Sequence, residues 1–337
     1  MLLKRINRAS HLYYGLKQVN SIVQSIKRSI SNQFLENLKN GALHVITDYV
    51  RVDPYLDLEL RGNCVMIYYR GGKILTVYEN QNLEGLAEEY YLTSDTIRIV
   101  PSLTGIHDYF AHAKHIVDIH ESSRYSKLGE KEIQQRVVYE NNLSVNACNT
   151  DYFIADIEWA DNDNLGGRAD IVAFRWNHME HRKRVVQLTL IEVKQGENAI
   201  KTLENDEQTS AGLRKHYTDF LSFKSNAVYV SDCAKDMLLV LKQKKELGLV
   251  KGIEKLFEKT IVIEDESGNK HREKVDLEPE IEVEPDFLFL LANYHHYSTN
   301  LQEECKALPN DSKFINASFC GYGLYKDFVK TKVELGL

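Results

Sequence analysis

Three residues on two neighbouring apolar runs have the types and spacing to do chemistry. The run Leu190-Ile191-Glu192-Val193-Lys194-Gln195-Gly196 reads as a strand, in which side chains two apart share a face. Glu192 and Lys194 therefore project together, while Ile191 and Val193 point the other way into apolar packing. Ionised groups beside a core are costly unless they are paired or bound to a metal, so two charges at the end of a greasy strand imply a purpose. Gly167-Arg168-Ala169-Asp170-Ile171-Val172-Ala173-Phe174 reads as the preceding strand and brings Asp170 as a second carboxylate. Two oxygen donors near one lysine suit Mg²⁺, which retains waters and accepts phosphate oxygens. Phosphodiester hydrolysis uses those parts: a cation to polarise the phosphate and acidify a water, and an ammonium to orient the nucleophile or offset developing charge.

The elements that must hold these residues follow from periodicity. A helix is expected over about residues 128–141, strands over 152–159, 168–175 and 185–194, a helix over 202–222 and a short strand over 227–230. That order, helix, three strands, helix, strand, describes a compact α/β sandwich.

Asp170, Glu192-Val193-Lys194 and this order of elements resemble the PD-(D/E)xK nuclease superfamily, the restriction-endonuclease-like fold, over roughly residues 128–231. The residue before Asp170 is Ala169, not the proline that names the family, and this variation touches no metal ligand. The resemblance implies an Mg²⁺-dependent endonuclease, with Mn²⁺ able to substitute. Asp170 and Glu192 would hold the metal, Lys194 would orient water, and DNA is the expected partner. A two-fold homodimer is expected if both strands are cut together. Such nucleases often carry an acid on the first core helix. Here Glu130 and Gln134 share a face at i, i+4 beside the core positions Ile133 and Val137, and are favoured over Glu132. Asp156 and Glu158 on the first strand could add acid to the site or cap its edge. Arg214, Lys215, His216 and Tyr217 on the second core helix, and Arg182 and Lys183 in the loop before the third strand, are candidate nucleic-acid contacts. The bland reading of that loop is a solvated hairpin tip. The rival functional reading is a nucleic-acid-binding or assembly subunit that keeps the fold without activity.

The 337 residues allow one large domain or two modest ones. Residues 1–105 are expected to form an N-terminal α+β module. It comprises an amphipathic helix over 10–39, strands over 43–50, 56–60, 64–69 and 73–78, and a hairpin turn at Gly71-Gly72. Residues 106–337 would form the nuclease-like domain, opened by a helix over 107–120 and closed by a C-terminal extension with a strand at 287–292. His107, His112, His115 and His120 fall largely off the apolar stripe of their helix and read as a surface face, not a zinc site.

The net charge of −7 is unevenly placed. Residues 1–40 carry seven basic groups against Glu36, a net +6, whereas residues 264–286 carry ten acids against three bases, a net −7. The basic face that includes Lys17, Lys27 and Arg28 is expected to attract phosphates, and the acidic stretch to be a solvated edge. Five scattered cysteines, none in a CxxC pair, speak against a disulfide framework or a cysteine-rich zinc site. There is no GxxxxGK phosphate loop. No apolar run reaches the roughly 18 residues of a membrane helix, and residues 1–9 lack the apolar stretch of a signal peptide. The expectation is a cytoplasmic protein without a membrane span.

Overall fold

The computed structural model describes residues 27–86, 100–122, 129–160, 168–176, 184–205, 208–210, 212–264, 269–293, 298–317 and 321–337. It is a mixed α/β architecture in which two apolar cores meet along one long helix.

The first core is built on a meander of four antiparallel strands, β1 (Leu56–Leu60), β2 (Cys64–Tyr69), β3 (Gly72–Tyr78) and β4 (Leu83–Glu84). The β2–β3 turn places Arg70 and Gly71 at positive φ, one residue ahead of the expected glycine pair. Two expectations fail here. Residues 10–26 of the helix expected over 10–39 lie outside the described residues; of the rest, residues 27–31 are not helical and the helix is Asn32–Lys39. Ser31 accounts for the break: its hydroxyl accepts the Phe34 amide at 3.0 Å, so it caps the helix and does not continue one. The expected strand over 43–50 is instead the helix His44–Val52. Leu43, Ile46 and Val50 are all buried, and this helical spacing outweighs the β-branched content. The helix Ile106–Ser122 adds Ile106, Tyr109, Phe110, Ala113 and Val117 to the same core.

The second core surrounds a larger sheet. The strands β5 (Tyr152–Ala160), β6 (Arg168–Arg175) and β7 (Val185–Gln195) form an antiparallel run, β5 with β6 and β6 with β7, within a residue or so of the expected bounds. A small hairpin follows, β8 (Leu203–Asn205) with β9 (Gln208–Ser210), and the second core helix is Leu213–Lys224, not 202–222. Gly212 stands before that helix because a Cβ there would lie 2.2 Å from the Thr202 amide nitrogen. The strand expected at 227–230 is the first turn of the helix Ala227–Glu246, which Asn226 caps by accepting the Tyr229 amide at 3.1 Å. Beyond the exposed hairpin β10 (Glu258–Glu264) and β11 (Lys270–Asp276), the short β12 (Glu280–Ile281) pairs with the start of β7. The parallel neighbour of β7 along its C-terminal part is β13 (Asp286–Ala292), followed in the sheet by β14 (Lys313–Asn316) and β15 (Lys330–Thr331).

One face of this sheet packs Ile171, Ile191, Val193 and Leu290 against Ile133 and Val137 of the helix Glu130–Val138. The other packs Val172, Leu190 and Phe289 against Phe223 and Met237 of the two following helices. A π-helical turn, Tyr139–Leu143, extends the 130–138 helix, and its buried Asn142 exchanges two 2.9 Å hydrogen bonds with the backbone of Ile154. That pairing lies at a bulge between Ile154 and Asp156, where the β5–β6 register slips. Val240, Leu247 and Leu249 of the long helix and its flank belong to the first core, which fastens the two cores together. No helix among the described residues is long and apolar enough to cross a membrane.

Candidate active site

β6 and β7 set the register of the site. Ile171 lies opposite Ile191, so the next step outward brings Asp170 beside Glu192. The backbone N–H of Val193 donates to Asp170 Oδ2 at 2.8 Å and ties that carboxyl to the neighbouring strand. Lys194 Nζ lies 2.6 Å from Glu192 Oε1, and His216 Nε2 lies 3.0 Å from the same oxygen. Phe289 and Leu291 of β13 stand opposite Glu192 and Lys194, so the charges are flanked by an apolar strand. Gly196, at φ 74°, turns the chain immediately after them. Asp170 is 8% exposed, Glu192 2% and Lys194 5%. Ile191 and Val193 are fully buried on the opposite face, as the alternation requires.

Burial, with the charges of Glu192 and Glu130 added, pushes the Asp170 carboxyl well above the usual carboxylate range. Burial acts on Glu192 in the same sense, but the hydrogen bond from His216 and the charge and hydrogen bond of Lys194 outweigh it and hold Glu192 below that range. Glu130 is raised by burial and by Glu192 and Glu158, against the pull of Lys194 and His216. The first core helix therefore brings Glu130 into the field of the site. Glu132 turns elsewhere, pairing with Arg136 at 3.0 Å and Arg70 at 3.5 Å toward the first core. Gln134 is fully buried, and among the described residues its amide makes no hydrogen bond.

The remaining candidates are distributed differently. Asp156 leaves the site at the β5 bulge and ion-pairs with Arg61 and, at 3.3 Å, with Arg28. Glu158, at φ 52°, pairs with Lys131 at 3.3 Å. Arg214 Nε lies 3.3 Å from Glu304, and Lys215 pairs with Asp219 at 2.9 Å, so both helix cations contact acids of this chain. Arg182 and Lys183 lie outside the described residues, as does Lys17 of the expected basic face. Arg28 of that face is turned inward, its side chain only 13% exposed, because Asp156 binds it. His216 has a role that its sequence context did not disclose: it faces the Glu192 carboxylate, where a phosphate contact was expected. The signal available was its place one turn into a helix that must cover the Glu192 face of β7.

The donor set is one of hard oxygens, and among the described residues no three His, Cys, Asp or Glu side chains gather so that they could hold a metal. Asp170 and Glu192 fit a cation that takes one or two carboxylates and completes its shell with water and phosphate, as Mg²⁺ does. Comparison of the chain with known proteins finds no matching family model, no matching curated protein and no matching solved structure.

Proposed function

We propose that the chain is a metal-dependent nuclease with a restriction-endonuclease-like core, hydrolysing phosphodiester bonds of DNA. The observation that carries this reading is the pairing of the buried Asp170 and Glu192 carboxyls on neighbouring strands, with half-buried Glu130 in their field and, among the described residues, Lys194 and His216 both at one oxygen of Glu192. Carboxyls so placed are stabilised by a further cation. The order of elements supports the same reading, with β13 supplying the final strand in place of 227–230.

Asp170 and Glu192 would hold Mg²⁺, which supplies charge stabilisation at the phosphate and a more acidic water. Lys194 Nζ donates to Glu192 Oε1 and would orient a water or a phosphate oxygen. His216 fixes one oxygen of Glu192 and so sets the direction of the other. The buried Val193 amide does the same for Asp170. The reading extends to DNA as partner, to a homodimer for paired strand cuts and to the cytoplasm as its compartment.

Incubating the purified protein with plasmid, linear duplex, single strand and RNA, with Mg²⁺, Mn²⁺, Ca²⁺ or EDTA, tests this directly. Cleavage of DNA with Mg²⁺ or Mn²⁺ is expected, with little in Ca²⁺ and none in EDTA. DNA binding without cleavage under any of these conditions selects the catalytically silent subunit instead.

A further inference from the structure

The helix Thr299–Lys306, capped by Ser298 through its hydroxyl on the Leu301 amide at 3.1 Å, turns Glu304 inward to 3% exposure. A carboxylate out of water is costly unless its oxygens are hydrogen-bonded. Those of Glu304 accept four donors. Oε1 takes the Thr202 amide at 2.8 Å, while Oε2 takes the Thr202 hydroxyl at 2.9 Å and both the backbone N–H and the Nε of Arg214 at 3.3 Å. Burial raises the Glu304 carboxyl, but the bonds from Thr202 and Arg214 outweigh it and hold the group below the usual carboxylate range.

Both donor residues belong to the frame of the candidate site. Thr202 follows the short helical turn Glu197–Ile200, which begins directly after β7 and its Gly196. Arg214 is the second residue of the helix Leu213–Lys224, whose cap, Gly212, has no side chain to accept the free amides of the first turn. Glu304 supplies that acceptor from a distant helix, with its charge at the positive end of the helix dipole. His216 lies two residues beyond Arg214, its Nε2 3.0 Å from Glu192. The same C-terminal helix grips the turn after β7 a second time: the Ser298 hydroxyl donates to the Glu197 carboxylate, and Asn300 Nδ2 donates to the Glu197 carbonyl at 3.3 Å.

We propose that Glu304 is a positioning residue of this site: its carboxylate clamps the start of the helix Leu213–Lys224 onto the exit of β7 and so holds the His216 ring at Glu192. The C-terminal segment is thereby part of the frame of the site. The consequence for metal binding and cleavage rests on the nuclease reading; the placement of His216 does not.

Nitrogen-15 spectra of the histidine rings in the full chain test the placement. His216→Ala identifies the His216 signals by their loss, and Glu192→Gln shows where they fall without the carboxylate. In Glu304→Ala they should move from the parent position toward that of Glu192→Gln, and in Glu304→Gln, which keeps one acceptor oxygen, by less. If the alanine variant does not fold, the glutamine variant alone decides. His216 signals at the parent position in a folded variant overturn the proposal. In parallel, Mn²⁺ affinity should fall severalfold in Glu304→Ala and fall no further when that change is added to His216→Ala, because a residue acting through the ring then has nothing left to hold. An equal fall in both backgrounds would make Glu304 a general support of the fold and also overturn the proposal. A parent that neither binds Mn²⁺ nor cuts DNA removes the nuclease reading, and the ring spectra still decide on Glu304.

Discussion

Asp156 and Asp170 sit on neighbouring strands of one sheet, both out of water, in opposite electrostatic settings. Asp156 belongs to a cluster between the two cores: Arg61, Arg28 and Lys244 face Asp156, Glu59 and Asp57, three cations to three acids, with burial still raising the Asp57 and Glu59 carboxyls. Lys244 Nζ lies 2.7 Å from Glu59 Oε1, and Arg61 also donates to the Leu60 and Ile157 carbonyls at 2.8 Å each. Asp170 belongs to a cluster in which Glu192 and the half-buried Glu130 meet Lys194 and His216, both bonding the same oxygen of Glu192. Buried charge that balances itself is architecture, and here it docks the meander and the long helix onto β5. Buried charge that fails to balance calls for something from outside.

That contrast can be broken at either cluster. The largest effect is expected at the unbalanced one: Asp170→Asn, Glu192→Gln and Lys194→Ala should each lower cleavage by a hundredfold or more, on the order of one lost transition-state contact, with circular dichroism unchanged. A folded variant that cuts at the parent rate would remove its residue from the site. The balanced cluster should answer in stability. Arg61→Leu strands the fully buried Asp156 carboxylate and should cost about 3–5 kcal/mol in denaturant unfolding. A cost under 1 kcal/mol would mean that Asp156 is relieved by Arg28 alone.

The helix cap Ser31, the bulge in β5 and the start of the Ala227–Glu246 helix show where the sequence was legible and where it was not. The alternation in β6 and β7 placed Asp170, Glu192 and Lys194 on one face because strand period is a local property. The spacing on the 130–138 helix likewise separated Glu130 from Glu132. Residues 227–230 were misread because a short apolar run carries either period, and residues 27–31 because the helical spacing around them hides that Ser31 caps a helix; Asn226 and Ser31 decide. Nor could alternation reveal that a bulge would turn Asp156 to Arg61, or that His216 would reach Glu192 from a helix far along the chain. Both depend on tertiary packing.

Smaller effects sharpen the comparison. His216→Ala should lower cleavage and divalent affinity about tenfold, and His216→Gln, which can still donate to Glu192, should recover part of both. Recovery of neither would limit the histidine to packing. Asp170→Asn should also melt higher than the parent in metal-free buffer. The parent carboxyl is held well above its unfolded value, so its favourable contribution is complete below about pH 4 and is lost as pH rises through the folded value. The advantage of the variant should therefore be absent near pH 3.5 and grow toward neutral pH; a pH-independent difference would refute the burial argument. Least of all, Glu130→Gln should reduce activity severalfold and Glu132→Gln less, measured side by side. Equal losses would place both acids outside the reaction.

The central claim is that the acid surplus around Asp170 and Glu192 seats a divalent cation. Titration calorimetry of the metal-free protein with Mn²⁺, compared with Asp170→Asn and with Arg61→Lys as a control in the balanced cluster, tests it without reference to any substrate. One site is expected in the parent and in Arg61→Lys, weakened at least tenfold in Asp170→Asn. Equal affinity in all three proteins, or no binding to the parent, would contradict it.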